Sequence, residues 1–248
     1  MTIINLSDVS LWRRTQEEFS YDFKKSILAI LEKKYRKPSR KLVLDNINIS
    51  IQKGERIGII GANGSGKSTL LKVICGILPP TTGTLKVSGN IAPLIELGAG
   101  FDSGMSVRDN IILYGVMLGF SRQEMLKRIS SILEFAELEE YAFVPVKALS
   151  SGMKARLGFA IATDVRPDIL LLDEVLSVGD AKFKQKCKKR IEKFWESNVT
   201  ILVVSHDSRF IQQWCQRGIW LDKGKIKFSG NVNEVIQEYT QAMGLNQK

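Results

Sequence analysis

The chain has 248 residues, 44% hydrophobic and 25% charged, with 36 lysines and arginines against 26 acids and a formal net charge of +10. This length suits one large domain or a domain with a lobe, and the composition supports a sizeable core under an ordinary soluble surface. Cys75, Cys187 and Cys215 are odd in number and widely spaced, which fits reduced thiols in a cytosolic protein and excludes a disulfide frame or a zinc site. No segment approaches the ~18 apolar residues of a membrane span. The longest candidate, IILYGVMLGF at 111–120, is too short, and MTIINLSDVS lacks the basic and apolar regions of a signal peptide. The positive charge is clustered at 24–41 and in KFKQKCKKRIEK, 182–193. Clustering of this kind favours an anionic membrane surface, nucleic acid or phosphorylated ligands over simple solubility.

In chain order, residues 2–9 read as a short strand. Residues 16–37 then read as a helix, with Phe19, Phe23, Ile27, Ile30 and Leu31 on one stripe and Lys24, Lys25, Lys33, Lys34, Arg36 and Lys37 elsewhere. Such a helix can rest on an anionic leaflet, pack its stripe on the protein's own core, or dock on a membrane partner. VLDNINISI, 43–51, alternates as a half-buried strand does, and RIGII, 56–60, is a buried strand. KSTLLKVICGIL is a helix stopped by Pro79 and Pro80. TLKVSGNIAPLI supplies further strand around Gly89. Helical spacing follows at 106–119, 121–136 and 151–164. DILLLDE is a buried strand, 181–196 a charged helix, TILVVS another buried strand, and GIWLDKGKIKFSG two strands about a Lys-Gly turn before a helix from Val232. Strands alternating with helices predict an α/β fold with a mixed sheet and helices on both faces. The three helices without an intervening strand predict an inserted helical lobe. The whole reads as one domain, 1–248, with a basic insertion at 13–38, the lobe at 100–165 and a β-hairpin and helix at 218–248.

GANGSGKST, 61–69, follows the strand RIGII and opens a helix. Gly61 to Ser68 match the spacing G-x-x-x-x-G-K-[ST] of a P-loop in its proper context. Polyphosphate is highly charged, and backbone N–H groups can surround it only where no Cβ intervenes. Gly61, Asn63, Gly64, Ser65 and Gly66 form such a cradle, and the helix start adds its positive end. Lys67 would reach the β- and γ-phosphates, the Ser68 hydroxyl would hold Mg²⁺, and Thr69 would bind near the α-phosphate of ATP. The buried strand ILLLDE, 169–174, supplies the acids: Asp173 to orient Mg²⁺ through water and Glu174 to polarise the attacking water.

LSSGM, 149–153, opens a helix about twenty residues before those acids. Here the chain resembles the ATPase subunits of ABC transporters, whose signature is LSGGQ. Ser150 and Gly152 are retained, while Ser151 and Met153 depart from the pattern. The resemblance implies a P-loop NTPase core of RecA-like type, and a signature helix that caps the γ-phosphate held by the other subunit of a homodimer. It places Asp180 of SVGD in the D-loop, His206 of Ser205-His206-Asp207 as the switch histidine, and Glu96 of LIELGAGFD where a Q-loop glutamine is usual. The adenine-stacking aromatic is Trp12 or Tyr35.

SSGM, the ELGAGF run, VGD and the basic N-terminal insertion look like the polysaccharide-exporting branch, which moves O-antigen, capsule or teichoic acid. The resemblance implies an ATPase on the cytoplasmic face of the bacterial inner membrane, peripheral to it, working with two integral membrane permease subunits through the surface at 94–105. The chain's length leads to the expectation that it lacks a C-terminal sugar-binding domain. No nucleic-acid partner is implied on this reading. Two alternatives stay open at this point: a soluble P-loop ATPase acting on nucleic acid or ribosomes, and a non-catalytic nucleotide-binding regulator.

Overall fold

The computed structural model describes residues 1–14, 40–95, 97–164, 166–173 and 179–244. The basic helix expected at 16–37, and with it Tyr35, lies outside the described residues, as do Glu96 and Glu174.

Two sheets sandwich the helix that follows the glycine loop. The first is antiparallel, in the order β2-β1-β4, built from β1 (Thr2–Arg14), β2 (Arg40–Gln52) and β4 (Thr82–Val87). The second runs β5-β6-β7-β3-β8-β9, from β3 (Arg56–Ile60), β5 (Ile91–Leu94), β6 (Ile169–Asp173), β7 (Thr200–Val204), β8 (Arg217–Asp222) and β9 (Lys225–Asn231). Its strands are parallel except β9, which pairs antiparallel with β8. The central strands read as continuous apolar runs because both faces are covered. Ile169 and Leu171 of β6 pack with α1 (Lys67–Ile74) and the antiparallel sheet, whereas Leu170 and Leu172 pack toward the helical lobe.

The lobe is α2 (Val107–Met117), α3 (Arg122–Ala136) and α4 (Ser151–Asp164), all between β5 and β6. α3 begins with a capping box in which Ser121 and Glu124 satisfy each other's backbone N–H groups. Phe135 of α3, Phe159 of α4 and Phe183 of α5 (Ala181–Trp195) bring the three helices together, with ring centroids 5.6–6.4 Å apart. α6 (Ser208–Trp214) and α7 (Val232–Ala242) complete the chain.

Several elements differ from the sequence reading. β1 continues to Arg14 rather than ending near residue 9, because Asp8 (φ 53°) interrupts the alternation while pairing with β2 resumes beyond it. The helix after the glycine loop stops at Ile74, well before the prolines, where the Gly76 and Ile77 N–H groups turn back to the Val73 and Lys72 carbonyls. The stretch around Gly89 divides between the two sheets as β4 and β5, and α6 had no counterpart in the sequence reading.

Candidate active site

The glycine loop leaves the buried end of β3 and enters α1 with Gly64 and Gly66 at φ 76° and 108°. Both values lie in the left-handed region that side chains disfavour. Gly66 is the N-cap and offers no side-chain cap, so the first-turn N–H groups of α1 are left for an external acceptor. A Cβ at Gly64 would meet nothing within 4 Å: the loop opens there to space, not to packing. Lys67 is 7% exposed, and its Nζ donates to the Gly61 carbonyl at 2.8 Å and the Ala62 carbonyl at 3.1 Å. Its ammonium is thereby bent back along the loop. The Ser65 Oγ is buried without a hydrogen-bond partner among the described residues.

A cavity of about 430 Å³ lies over this loop, lined by Val43, Asn63, Gly64, Gly66, Lys67, Ser68, Thr69, Asp173, Val204 and His206. Asp173 ends β6, directly opposite Val204 on β7. His206 is exposed just past the end of β7. The turn that carries it is held on both sides: the Asp207 N–H donates to Ser205 Oγ at 3.0 Å, and Asp207 Oδ1 accepts from the Arg209 and Phe210 amides to cap α6. Uncapped helix N–H groups, an ammonium, a serine hydroxyl and a carboxylate on one wall fit a polyphosphate with a hard cation.

Trp12, Ser150–Met153 and Asp180, also singled out in the sequence, do not line this cavity. Trp12 is exposed on β1 and is not on its wall. Val43 is there instead, because Leu11 pairs with Leu44 and Trp12 with Leu42, leaving Val43 unopposed in a bulge. Ser150 caps α4: its Oγ accepts from the Met153 N–H at 3.2 Å, and its carbonyl from Lys154 at 3.0 Å. Ser150, Ser151 and Gly152 are exposed, Met153 is half-buried, and none of them lines the cavity of its own chain. Asp180 caps α5 and is likewise outside it. The Phe183 amide, with the Arg156 guanidinium adding to it, holds the Asp180 carboxyl below its ordinary range.

A second cavity, about 440 Å³ and largely apolar, lies between the loop after β5 and the end of α2. Pro93, Ile95, Ala99, Tyr114 and Met117 line it, together with Cys75 at the end of α1. Burial pushes the Tyr114 phenol up to about 12, with the Cys75 sulfur adding to the shift.

A glycine loop between a buried strand and a helix, facing an acid on a parallel strand two places away in the sheet, defines a P-loop nucleotide-binding protein. Residues 44–177 match the ABC transporter family, and the chain belongs to that family and has the fold of its ATPase cassettes. It is 43% identical over 249 residues to the O-antigen export system ATP-binding protein RfbB of Myxococcus xanthus, covering 99% of this chain and 57% of that protein. It is 45% identical over 196 residues to the teichoic acids export ATP-binding protein TagH of Lactococcus lactis subsp. lactis (strain IL1403), covering 79% of this chain and 42% of that one. The chain thus spans about half the length of these two relatives. Among solved structures, the ATP-binding cassette MJ0796, described as dimeric and bound to ADP and Pi, superposes with a TM-score of 0.68 at 23% identity. That alignment covers 93% of this chain and 99% of the other, and it is a likeness of fold.

Proposed function

We propose that this chain is the ATP-hydrolysing subunit of an ABC transporter that exports a lipid-linked polysaccharide such as O-antigen across the bacterial inner membrane. The observation that carries the ATPase reading is the single cavity joining Gly64, Lys67, Ser68, Asp173 and His206. The export reading is supported by 43% and 45% identity to proteins named for O-antigen and teichoic acid export, and these relatives do not favour a nucleic-acid substrate.

The α1 N–H groups and Lys67 would hold the phosphates of ATP, and Thr69 would bind near the α-phosphate. Ser68 and Asp173 would hold Mg²⁺, whose charge offsets the negative charge gathering on the phosphates. Glu174 polarises the attacking water, and His206 keeps it aligned toward the γ-phosphate. The exposed α4 N-terminus, Ser150–Met153, serves the nucleotide of a second copy, so that two chains close over two ATP molecules. The exposure of Ser150, Ser151 and Gly152, and their absence from the lining of their own chain's cavity, support that arrangement. The adenine is left to Trp12 or Tyr35, and the usual Q-loop place to Glu96. The apolar cavity beside Ile95 and Ala99 is a seat suited to the two integral membrane subunits. No helix among the described residues is long and apolar enough to cross a membrane, so translocation falls to those partners. The basic segment 24–41 would meet the anionic cytoplasmic leaflet, placing the chain as a peripheral subunit.

The test has two arms. Glu174→Gln should keep ATP binding, slow hydrolysis on the order of 10²-fold or more, and trap a dimer visible by light scattering. Turnover near wild type would overturn the catalytic reading. Deleting the gene in its host should leave lipid-linked polymer inside the cell and remove it from the surface. Unchanged surface polysaccharide would overturn the export reading.

A further inference from the structure

Arg156 stands in the second turn of α4, just past the exposed N-terminus that carries Ser150–Met153. Its guanidinium spans two acids: one nitrogen donates to Glu137 Oε2 at 3.1 Å, the other to Asp180 Oδ2 at 2.7 Å. Glu137 closes α3 and also pairs with Lys186 of α5 at 3.4 Å. Asp180 caps α5, its Oδ1 accepting from the Phe183 N–H at 2.9 Å. The Arg156 guanidinium carbon lies 4.9 Å from the centre of the Phe183 ring. One side chain therefore joins the end of α3, the start of α4 and the start of α5. A planar fork can reach both acids at once, whereas an ammonium could hold only one in that geometry.

The fold does not depend on this contact to keep the helices together. At the far end of α4, Asp164 pairs with Arg128 of α3 at 3.1 Å and faces Arg190 of α5 at 3.8 Å. Phe135, Phe159 and Phe183 pack between the two ends. Among the described residues, Arg156 links the two exposed helix N-termini, those of α4 and α5, by a direct side-chain hydrogen bond.

We propose that Arg156 is a positioning residue that locks the signature serine and glycine to the D-loop aspartate, so that Ser150, Gly152 and Asp180 approach the nucleotide of a second copy as one rigid edge. This rests on the reading above that two chains complete each other's sites. If either N-terminus moves independently, donors and acid arrive out of register, and turnover suffers while nucleotide binding to the single chain does not.

The test uses the full chain with ATP. The readouts are kcat, Hill coefficient, ATP affinity of the dilute monomer, dimer formation by light scattering, and melting temperature. Arg156→Gln should lower kcat about tenfold, part of the ~10²-fold loss that a misplacement near 1 Å can bring. Its Hill coefficient should fall toward one, and its monomer affinity should hold within about twofold of wild type if positioning alone is lost. Asp180→Asn should lower kcat at least as far, because it weakens the same contact and also takes a charge from the edge itself, and the double variant should be no worse than Asp180→Asn alone. Arg156→Lys should recover part of kcat. Lys186→Gln removes a charge from the same cluster without touching Asp180 and should leave kcat at the wild-type level. Additive losses in the double variant, or a Lys186→Gln loss equal to that of Arg156→Gln, would overturn the proposal. If Arg156→Gln melts, Arg156→Lys, which keeps the charge but reaches only one acid, decides the matter through kcat and Hill coefficient. A wild type that stays monomeric with ATP overturns the composite-site reading and the proposal with it. A wild type that dimerises, with variants that keep its kcat and Hill coefficient, overturns the proposal alone.

Discussion

Gly158 of α4 and Gly98 in the loop after β5 meet backbone to backbone: a Cβ built on Gly158 would stand 2.7 Å from the Gly98 nitrogen and 3.1 Å from the Leu97 carbonyl carbon. The same helix carries the exposed signature at its start, and the same loop lines the apolar cavity through Ile95 and Ala99. The elements that carry the two features proposed to face a second copy and a membrane partner are therefore in direct contact within one chain.

Gly158→Ala should test that contact. Replacing a mid-helix glycine by alanine ordinarily stabilises a helix by about 1 kcal/mol. Here the new methyl meets main-chain atoms that cannot rotate away, and overpacking costs about 1–3 kcal/mol. The steric term should win or be relieved by displacing the loop. The expected result is a lower denaturation midpoint with impaired ATPase and normal ATP affinity, because the P-loop cavity is lined by other elements. A variant more stable than wild type with full activity would show that the contact has slack.

Lys67→Ala should lose nucleotide. The ammonium already lies on the Gly61 and Ala62 carbonyls at the cavity wall. Charged hydrogen bonds contribute about 1.5–3 kcal/mol, so ATP affinity measured by calorimetry should fall by roughly 10- to 100-fold. Undiminished affinity would remove Lys67 from the phosphate site.

Ser150 separates capping from recognition. Ser150→Ala removes the acceptor of the Met153 N–H and should cost about 0.5–2 kcal/mol in stability. Ser150→Arg loses the same cap and adds bulk and charge at an exposed helix start. It should leave ATP binding by the single chain nearly intact while abolishing ATP-driven dimerisation. If light scattering shows both variants dimerising like wild type, residues 149–153 act only as a helix cap.

The glycine loop and Asp173 could be read from the chain because their chemistry dictates spacing: phosphate needs bare backbone, and the cation needs an acid at a buried strand end. His206 was legible as the one histidine, placed after an apolar run. Other features left weaker traces. α6 has seven residues, too few for a helical period to declare itself, and its signal was only the cap residue Asp207. Trp12, with Tyr35 the candidate for stacking on the adenine, stands off the wall of the cavity, where a bulge that no residue pattern announces puts Val43. Arg156 reads as one more charge on a helix, and which carboxylate 24 residues later it meets depends on how α4 and α5 pack. Gly158 is similarly silent, since a small residue marks a close approach without naming what approaches.

The buried thiols predict an alkaline limit to stability. Burial pushes both Cys187 and Cys215 up to about 12, outweighing Arg190 and Lys186 beside the first and Arg56 beside the second. An unfolded cysteine ionises near 8.5. Below that pH both states keep the proton and the full stability is present. Above it the unfolded chain releases protons that the folded chain retains, so stability falls with rising pH until the folded thiols themselves ionise near 12. The slope is about 1.4 kcal/mol per pH unit for each thiol, and the Tyr114 phenol, also raised to about 12, joins above its ordinary value near 10. Urea midpoints at pH 8, 9 and 10 should therefore drop steeply in wild type. In Cys187→Ala/Cys215→Ala the midpoint at pH 8 should be lower, from the lost packing, but the decline should be shallower by about 1–3 kcal/mol per pH unit. Comparing slopes rather than absolute midpoints cancels the lysines and tyrosines common to both proteins. Parallel slopes would mean that the two thiols ionise as readily folded as unfolded.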